Sequence, residues 1–66
     1  MAKICISVVT TTWNERENIK NFILKVREAL KGFTHEIIVV DDDSPDGTVQ
    51  IAKRYADIAI SKKREG

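Results

Sequence analysis

An apolar run that ends in three consecutive aspartates is the feature that most constrains the fold of this chain. Residues 37–40 read Ile-Ile-Val-Val, and Asp41, Asp42 and Asp43 follow at once, before a Ser-Pro pair. Because adjacent carboxylates repel one another, a fold keeps them most readily where a ligand, a metal ion or backbone donors offset the repulsion. The carboxyl end of a parallel strand beside a helix N-terminus is such a place. The sequence therefore predicts a ligand site at the end of a buried strand.

Length and composition restrict the chain to one small domain. It has 66 residues, of which 42% are hydrophobic and 32% are charged, with a net charge of +1. A domain of this size buries only ~60% of its unfolded surface, so residues 1–66 make one domain at most. The balanced charge and the few aromatic residues provide no surface for nucleic acid, and no nucleic-acid partner is expected.

Single residues and short runs of the sequence indicate which cellular location is expected for the protein. Cys5 is alone, which excludes a disulfide framework and a cysteine-based metal cluster, and we expect it in the core. The apolar runs are too short to span a bilayer, and the start of the chain lacks the long apolar segment of a secretory signal. A reducing, cytoplasmic location is therefore expected.

The spacing of apolar residues predicts the order β-α-β-α-β. Strands are expected at residues 4–10, 36–41 and 58–60, and their continuous apolar runs are typical of parallel strands covered on both faces. Right-handed crossovers then follow, with the helices connecting neighbouring strands. The predicted fold class is α/β, with a small parallel sheet in a three-layer, Rossmann-like arrangement.

Local signals predict where the two helices begin and end. Asn14, with Glu17 three residues on, has the pattern of a capping box, and Gly32 is expected just past the C-terminus of the first helix. Ser44 is expected to cap the second helix, with Pro45 in its first turn. The apolar stripe expected to face the core from the first helix is Ile19, Phe22, Ile23, Val26 and Leu30.

Two loops are expected to line one crevice, because the carboxyl ends of neighbouring parallel strands meet at the same rim. The first carries Thr11, Thr12, Trp13 and Glu15, and the second carries the aspartates at 41–43. Threonine hydroxyls and carboxylates suit ribose hydroxyls and base N–H groups, and an indole ring can stack on a base. The glycine-rich phosphate cradles G-x-G-x-x-G and G-x-x-x-x-G-K-[ST] are absent. Because an acidic site repels phosphate, a diphosphate would need a metal ion or basic groups nearby, such as those at 62–64.

Each of these residues also has a purely structural interpretation. The aspartates can form a polar loop, Glu15 can complement a helix dipole, Trp13 can pack on the next helix, and the threonines can simply favour a strand. His35 is expected to be exposed and without a role. A phospho-acceptor receiver domain is another alternative, but receivers carry their acidic pair after the first strand, where this chain has threonine and tryptophan.

Two strings of the sequence resemble the opening of family 2 glycosyltransferases, in particular the dolichyl-phosphate mannosyltransferase branch. Residues 7–19 read SVVTTTWNERENI, and residues 36–48 read EIIVVDDDSPDGT. Members of that branch read S-V-I-I-P-T-Y-N-E-R-E-N-I and then E-I-I-V-V-D-D-x-S-P-D-G-T, in the same order. Thr11 stands where the family has proline, which removes a fixed φ from that turn, and Trp13 stands where it has tyrosine. The resemblance covers essentially the whole chain and implies the N-terminal part of a GT-A fold. It implies that residues 1–66 form a single partial domain, the nucleotide-sugar-binding half of a catalytic domain.

The resemblance also implies site residues. In that family the loop after the first strand and the aspartate pair after the second recognise the nucleoside. By position, Thr11, Thr12, Trp13 and Glu15 would frame base and ribose, and Asp42 would accept from a base N–H with Asp41 beside it. The metal-binding D-x-D motif and the catalytic base of the family lie further along the chain, so no catalytic or metal-binding residue is assigned here, although Mg²⁺ or Mn²⁺ is expected for a full-length parent.

The sequence thus leads to two functional hypotheses. The first is an N-terminal fragment of a glycosyltransferase that contributes the nucleoside-binding loops for a nucleotide diphosphate sugar and is not catalytic alone. A full-length parent enzyme is expected in the cytoplasm or at the cytosolic face of a membrane. The alternative is a self-associating α/β module, in which a bare edge at Ile4–Thr10 pairs with a second copy to give a homo-oligomer.

Overall fold

The computed structural model describes residues 5–63, and within them strands and helices alternate as predicted. Ile4 and Arg64, which belonged to the predicted first strand and basic tail, lie outside this range. Neither helix in the described part of the chain is long and apolar enough to cross a membrane. The elements are β1 (Cys5–Thr12), α1 (Ile19–Ala29), β2 (Thr34–Asp41), α2 (Thr48–Tyr55) and β3 (Ile58–Ser61).

The three strands form one parallel sheet in the order β1-β2-β3, which confirms the predicted α/β fold. In the register, Val8 pairs with Ile37, and Asp41 pairs with both Thr12 and Ser61. Because all strands run in one direction, their carboxyl ends lie along one rim of the sheet. The loops that follow β1 and β2 therefore start next to each other.

The core lies between the sheet and the two helices, which pack on the same face. Ile19 and Ile23 of α1 meet Ile37 and Val39 of β2 and Ala52 of α2, and each of these residues is at most 2% exposed. Two right-handed crossovers that step in the same direction along a sheet place both helices on one side of it. Ile37 and Val39 alternate with outward residues, as the two-residue period of a strand requires.

The opposite face of the sheet is open in the described chain, which differs from the prediction of strands covered on both sides. Val9, Ile58 and Ile60 are 62%, 47% and 51% exposed on this face. The prediction that Cys5 lies in the core is wrong, because it shares this face and is exposed. Residues 5–63 thus form a sheet and one helical layer, and the third layer of the expected arrangement is not among them.

The start of α1 differs from the predicted capping box. The helix begins at Ile19, its N-cap is Asn18, and that residue makes no side-chain capping bond. Asn14 instead has a left-handed conformation with φ +52. Phe22, expected in the core, is 41% exposed at the edge of the helix. Local pattern located the helix but not its first turn.

The other predicted helix ends also shift by a few residues. The second helix begins at Thr48 with Gly47 as N-cap at φ +88, so Ser44 and Pro45 precede it rather than cap it. At the C-terminus of α1 the cap is Leu30, and Gly32 adopts its left-handed φ of +94 two residues later.

Arg27 connects several elements at the end of the sheet where the strands begin. Its Nη2 donates to the carbonyl oxygen of Tyr55 at 2.7 Å and to Asp57 Oδ2 at 3.2 Å. The same carboxylate accepts the Ile37 amide at 2.7 Å, and this bond, with the nearby guanidinium, lowers the pKa of Asp57. His35 Nε2 lies 3.4 Å from Arg27 Nη1 and the residue is half-buried, so the prediction that it is exposed is wrong. These contacts tie α1, β2 and the turn before β3 together, away from the carboxyl rim.

Candidate functional site

The loops that leave β1 and β2 lie side by side at the carboxyl rim. Thr12 and Asp41 are register partners, and the Asp42 amide donates to the Thr12 carbonyl oxygen at 2.9 Å. The pairing of the two strands therefore continues into the first residue of the second loop. Asn14 and Asp43 each have positive φ, +52 and +55, so each loop turns sharply just past the rim.

A cavity of about 560 Å³ opens between these loops. The tryptophan turn forms one wall, and the second loop together with the end of β3 forms the other. Of the six site residues expected from the sequence, five line this cavity, and Asp41 does not. Trp13 is 46% exposed and forms part of the cavity wall. The full lining is Thr11, Thr12, Trp13, Glu15, Val40, Asp42 and Lys62.

Asp41 lies behind the cavity wall, with no exposed surface. Its Oδ1 accepts the Thr12 hydroxyl at 2.8 Å and the Ser44 hydroxyl at 2.6 Å, and its Oδ2 accepts the Ser44 amide at 2.8 Å. Three donors are what a buried carboxylate needs to remain stable away from water. In this structure Asp41 therefore joins the end of β1 to the start of the second loop, while its neighbour Asp42 faces the cavity.

Lys62 supplies the positive charge at the cavity. Its amide donates to the Asp41 carbonyl oxygen at 2.7 Å, which extends the pairing of β2 and β3 by one residue and holds this backbone at the rim. Of the described residues that line the cavity, only Lys62 is cationic, whereas Glu15 and Asp42 are acidic. The site thus combines an indole ring, hydroxyls, two carboxylates and one ammonium group.

A smaller cavity of about 280 Å³ adjoins the first on the outer side of β1. It shares Thr11, Thr12 and Glu15 with the larger cavity and is otherwise lined partly by Ile19 and Phe22 of α1. The loop after β1 therefore contributes to the walls of both cavities.

The model of the family described as "Glycosyl transferase family 2" matches residues 7–66, which is nearly the whole chain. The chain belongs to this family. Its parallel sheet and alternating helices agree with the N-terminal, Rossmann-like part of the GT-A fold that the sequence motifs implied.

Two curated relatives illustrate the similarity. A dolichol-phosphate mannosyltransferase of Pyrococcus furiosus is 48% identical over 51 residues, which is 77% of this chain and 14% of that protein. An undecaprenyl-phosphate 4-deoxy-4-formamido-L-arabinose transferase of Pseudomonas fluorescens is 30% identical over 59 residues, 86% of this chain and 17% of that protein. This family 2 chain therefore spans about one seventh to one sixth of the length of these relatives.

The metal ion expected for a full-length glycosyltransferase does not fit the acidic residues that the structure describes. Within residues 5–63 no group of three histidine, cysteine, aspartate or glutamate side chains stands close enough to hold one. Asp41 already accepts three hydrogen bonds, which occupy both of its carboxylate oxygens. No metal chemistry is therefore assigned to the aspartate triplet.

Two lining residues were absent from the sequence-based set. Val40 faces the open side of the sheet, next to the loop that begins with Asp42, and lines the cavity from there. Lys62 follows β3 directly, so the strand order places it at the rim, where the basic run at 62–64 is expected to supply cations. The burial of Asp41 also had a signal, because it has the same parity along β2 as Ile37 and Val39.

Proposed function

We propose that this chain provides the nucleoside-binding part of the donor site of a family 2 glycosyltransferase, whose substrate is a nucleotide diphosphate sugar. The observation that carries the proposal is the meeting of Trp13, Glu15 and Asp42 at one cavity on the carboxyl rim. Ligands of open α/β sheets bind at this rim. Membership of the family supports the same conclusion.

Each lining residue has a distinct chemical part in this proposal. Trp13 stacks on the base, a contact worth about 1–3 kcal/mol. Asp42 accepts a base N–H, and Glu15 with the hydroxyl of Thr11 bonds the ribose, while the Thr12 hydroxyl donates to Asp41 and supports the wall from behind. Asp41 belonged to the nucleoside set implied by the family resemblance, and with no exposed surface it acts on the ligand through its neighbours.

Lys62 has the part of a phosphate contact. Glu15 and Asp42 give the cavity a negative potential that repels a diphosphate, so a cation is needed on the side where the phosphates lie. Lys62 is held at the rim by its backbone bond to Asp41 and lines the same cavity. A nucleoside without phosphates does not use this contact, and the two ligands therefore test it separately.

The complete reaction belongs, in this proposal, to a longer protein. The names of both relatives pair a polyprenyl phosphate with a sugar residue, so we propose a lipid-phosphate acceptor at the cytosolic face of a membrane for the full-length enzyme. The described residues bind and orient the nucleoside, and they are not catalytic alone. Mg²⁺ or Mn²⁺ would be held elsewhere in that protein.

Quenching of tryptophan fluorescence tests the proposal directly, because Trp13 is the one tryptophan of the chain. The chain is titrated with UDP and GDP to about 10 mM, with excitation at the red edge to limit nucleotide absorbance. A partial site should bind weakly, with a dissociation constant of about 1 mM, equivalent to about −4.1 kcal/mol. Absence of saturable quenching by either nucleotide contradicts the proposal.

Neighbouring aspartates provide a matched control. Asp42→Asn removes an ionised acceptor from the cavity and should weaken binding by roughly tenfold to hundredfold, since a charged hydrogen bond contributes about 1.5–3 kcal/mol. Asp43→Asn makes the same change of charge one residue further on, outside the lining, and asparagine tolerates its positive φ. Equal effects of the two variants would show that only the net charge of the loop matters.

Lys62 is tested by comparing a nucleotide with its nucleoside. Lys62→Gln should weaken UDP by roughly fivefold, as expected for a loss of about 1 kcal/mol at a water-exposed site, and leave uridine unchanged. Lys53→Gln, on the exposed side of α2, removes the same charge elsewhere and serves as control. If both lysine variants weaken UDP equally, the effect is one of overall charge.

A second candidate function is self-association, and the observation that favours it is the bare outer edge of β1. This strand is hydrogen-bonded to β2 alone among the described strands, and its eight residues include no charge and no proline. Edges of this length are usually blunted by lysine, proline or a bulge, and an unprotected edge invites pairing with another strand. A second copy of β1 would cover it.

Light scattering at increasing concentration tests self-association. Val9→Lys puts a charge on the bare edge strand and should shift a dimer towards monomer. Ile60→Lys puts the same charge on the same open face at the other edge of the sheet, where it should have little effect on pairing through β1. Disruption by both variants would indicate packing face to face, and a monomer in the unsubstituted chain at all concentrations rules the function out.

A further inference from the structure

We propose that residues 44–48, the segment Ser-Pro-Asp-Gly-Thr, form a positioning clasp that holds the backbone of the first loop and thereby orients Trp13 and Glu15 in the cavity. The proposal deepens the proposed function and rests on it for the identity of the ligand. It concerns residues outside the cavity lining, which act on a ligand only through the loop they hold.

The clasp satisfies three consecutive backbone amides of the first loop, at residues 14–16. Each amide donates to a different side chain of residues 44–48, across 30 to 33 positions of sequence. Consecutive loop amides that all bond to side chains of one segment are fixed in direction as well as position. The bonds run from Asn14 N to Ser44 Oγ at 2.8 Å, from Glu15 N to Thr48 Oγ1 at 3.0 Å, and from Arg16 N to Asp46 Oδ2 at 3.1 Å.

Two of the acceptors are hydroxyls, and each hydroxyl donates its own proton to a carboxylate. Ser44 Oγ donates to Asp41 Oδ1 at 2.6 Å, and Thr48 Oγ1 donates to Asp46 Oδ1. With the proton committed to the carboxylate, the lone pairs of each oxygen are directed towards the loop amide. The buried Asp41 thus reaches the first loop through Ser44.

The conformation of Asn14 shows what the clasp maintains. This residue lies between Trp13 and Glu15 and has φ +52, a conformation that residues other than glycine adopt uncommonly. Its amide is the one that Ser44 holds. The bond therefore lies at the point where the chain turns and sends the indole ring and the glutamate to the same cavity.

The ionisation of Asp46 agrees with this role. The hydrogen bond from the Thr48 hydroxyl, with the bonds from the backbone amides of Arg16 and Thr48, lowers the pKa of Asp46. The carboxylate is therefore ionised at neutral pH and accepts from both loops at once. The N-cap of α2 is Gly47, which makes no side-chain capping bond. The hydroxyl groups of Ser44 and Thr48 accept from the amides of the first loop instead of capping this helix.

Amide exchange measured residue by residue in a ¹⁵N-labelled chain tests the clasp without any ligand. Thr48→Val removes the acceptor of the Glu15 amide and should raise its exchange rate at least tenfold, beyond any change at the Val39 amide in the core. Thr48→Ser keeps a hydroxyl and should restore the rate. Ser44→Ala, at a half-buried position, should act chiefly on the Asn14 amide and remains informative if the valine variant fails to fold.

A control variant and two further measurements complete the test of the clasp. Thr34→Val, which changes an exposed threonine at the start of β2, is the control and should leave the exchange of the loop amides unchanged. In the clasp variants, Trp13 anisotropy should fall and the UDP dissociation constant should rise at least fivefold, with rescue by Thr48→Ser. If UDP never binds, the proposed function fails while the exchange rates still decide the clasp. If Thr48→Val and Ser44→Ala leave the exchange of residues 14–16 at wild-type rates, or if anisotropy is unchanged when exchange rises, the clasp is refuted.

Discussion

The neighbouring threonines at the end of β1 allow the contribution of a buried hydroxyl group to stability to be compared with that of an exposed one. Thr12 is 7% exposed and donates its hydroxyl to the buried Asp41 at 2.8 Å. Thr11 points to the open face and lines the cavity. Replacing either by valine keeps the shape of the side chain and its preference for a strand, so only the hydroxyl differs.

The expected loss of stability in Thr12→Val follows from the hydrogen bonds that Asp41 retains. In Thr12→Val the carboxylate loses one of its three donors and retains the amide and hydroxyl of Ser44. A hydrogen bond to a charged group contributes about 1.5–3 kcal/mol, and the total stability of a domain of this size is roughly 3–10 kcal/mol. Thr12→Val should therefore remove a large part of it, whereas Thr11→Val should stay within about 0.5 kcal/mol of wild type.

Urea unfolding followed by circular dichroism measures this difference. At about 4–8 °C per kcal/mol, Thr12→Val should also lower the melting temperature by about 6–24 °C. Thr11→Val corrects for any general effect of valine in β1. If the two variants unfold at the same urea concentration, Asp41 does not depend on Thr12, and the account of a buried carboxylate that joins the two loops is refuted.

Three further substitutions, with Leu24→Ala as a control for the first, test the fold around the site. Ile23→Ala, at a fully buried position of α1, should cost about 2–5 kcal/mol, whereas Leu24→Ala on the exposed face should cost less than about 1 kcal/mol in the same urea experiment. Because the folded pKa of Asp57 is lowered from 3.8, its ionised form stabilises the fold above pH 3.8, and this stability should be lost as the pH falls towards the lower folded value. Asp57→Asn should flatten that part of the stability profile measured by thermal melts between pH 2 and 6. Gly47→Ala should cost about 1–2 kcal/mol through its φ of +88 alone, since an added Cβ has an ordinary contact, Gln50 Oε1 at 3.7 Å.

Regular patterns made the elements of this fold predictable. The run at 37–40 and the spacing of Ile19 and Ile23 carry the two-residue and 3.6-residue periods, which depend on the backbone alone. The parallel order followed from strands that alternate with helices. These periods do not show whether another layer of the protein covers a given face of the sheet. The exposure of Cys5 and Val9 therefore could not be predicted from the apolar character of β1.

The helix starts were mispredicted because long-range contacts replaced local ones. Asn14 and Ser44 are both good capping residues, yet in the fold they bond to each other's segments, and the helices begin several residues later. A local pattern describes which groups a residue can satisfy, whereas the register of β1 on β2 decides which groups are within reach. The same register separates Asp41 from Asp42, since successive residues point to opposite faces of a strand.

The most direct test of the central claim is a map of chemical-shift changes in the ¹⁵N-labelled chain on addition of UDP or GDP. The account predicts changes concentrated at residues 11–15, at Asp42 and at Lys62, together with the indole N–H of Trp13. The amides around Arg27 and Asp57, at the opposite end of the sheet, should remain in place. Changes centred on that opposite end, or spread evenly over the chain, would contradict a nucleoside site at the carboxyl rim.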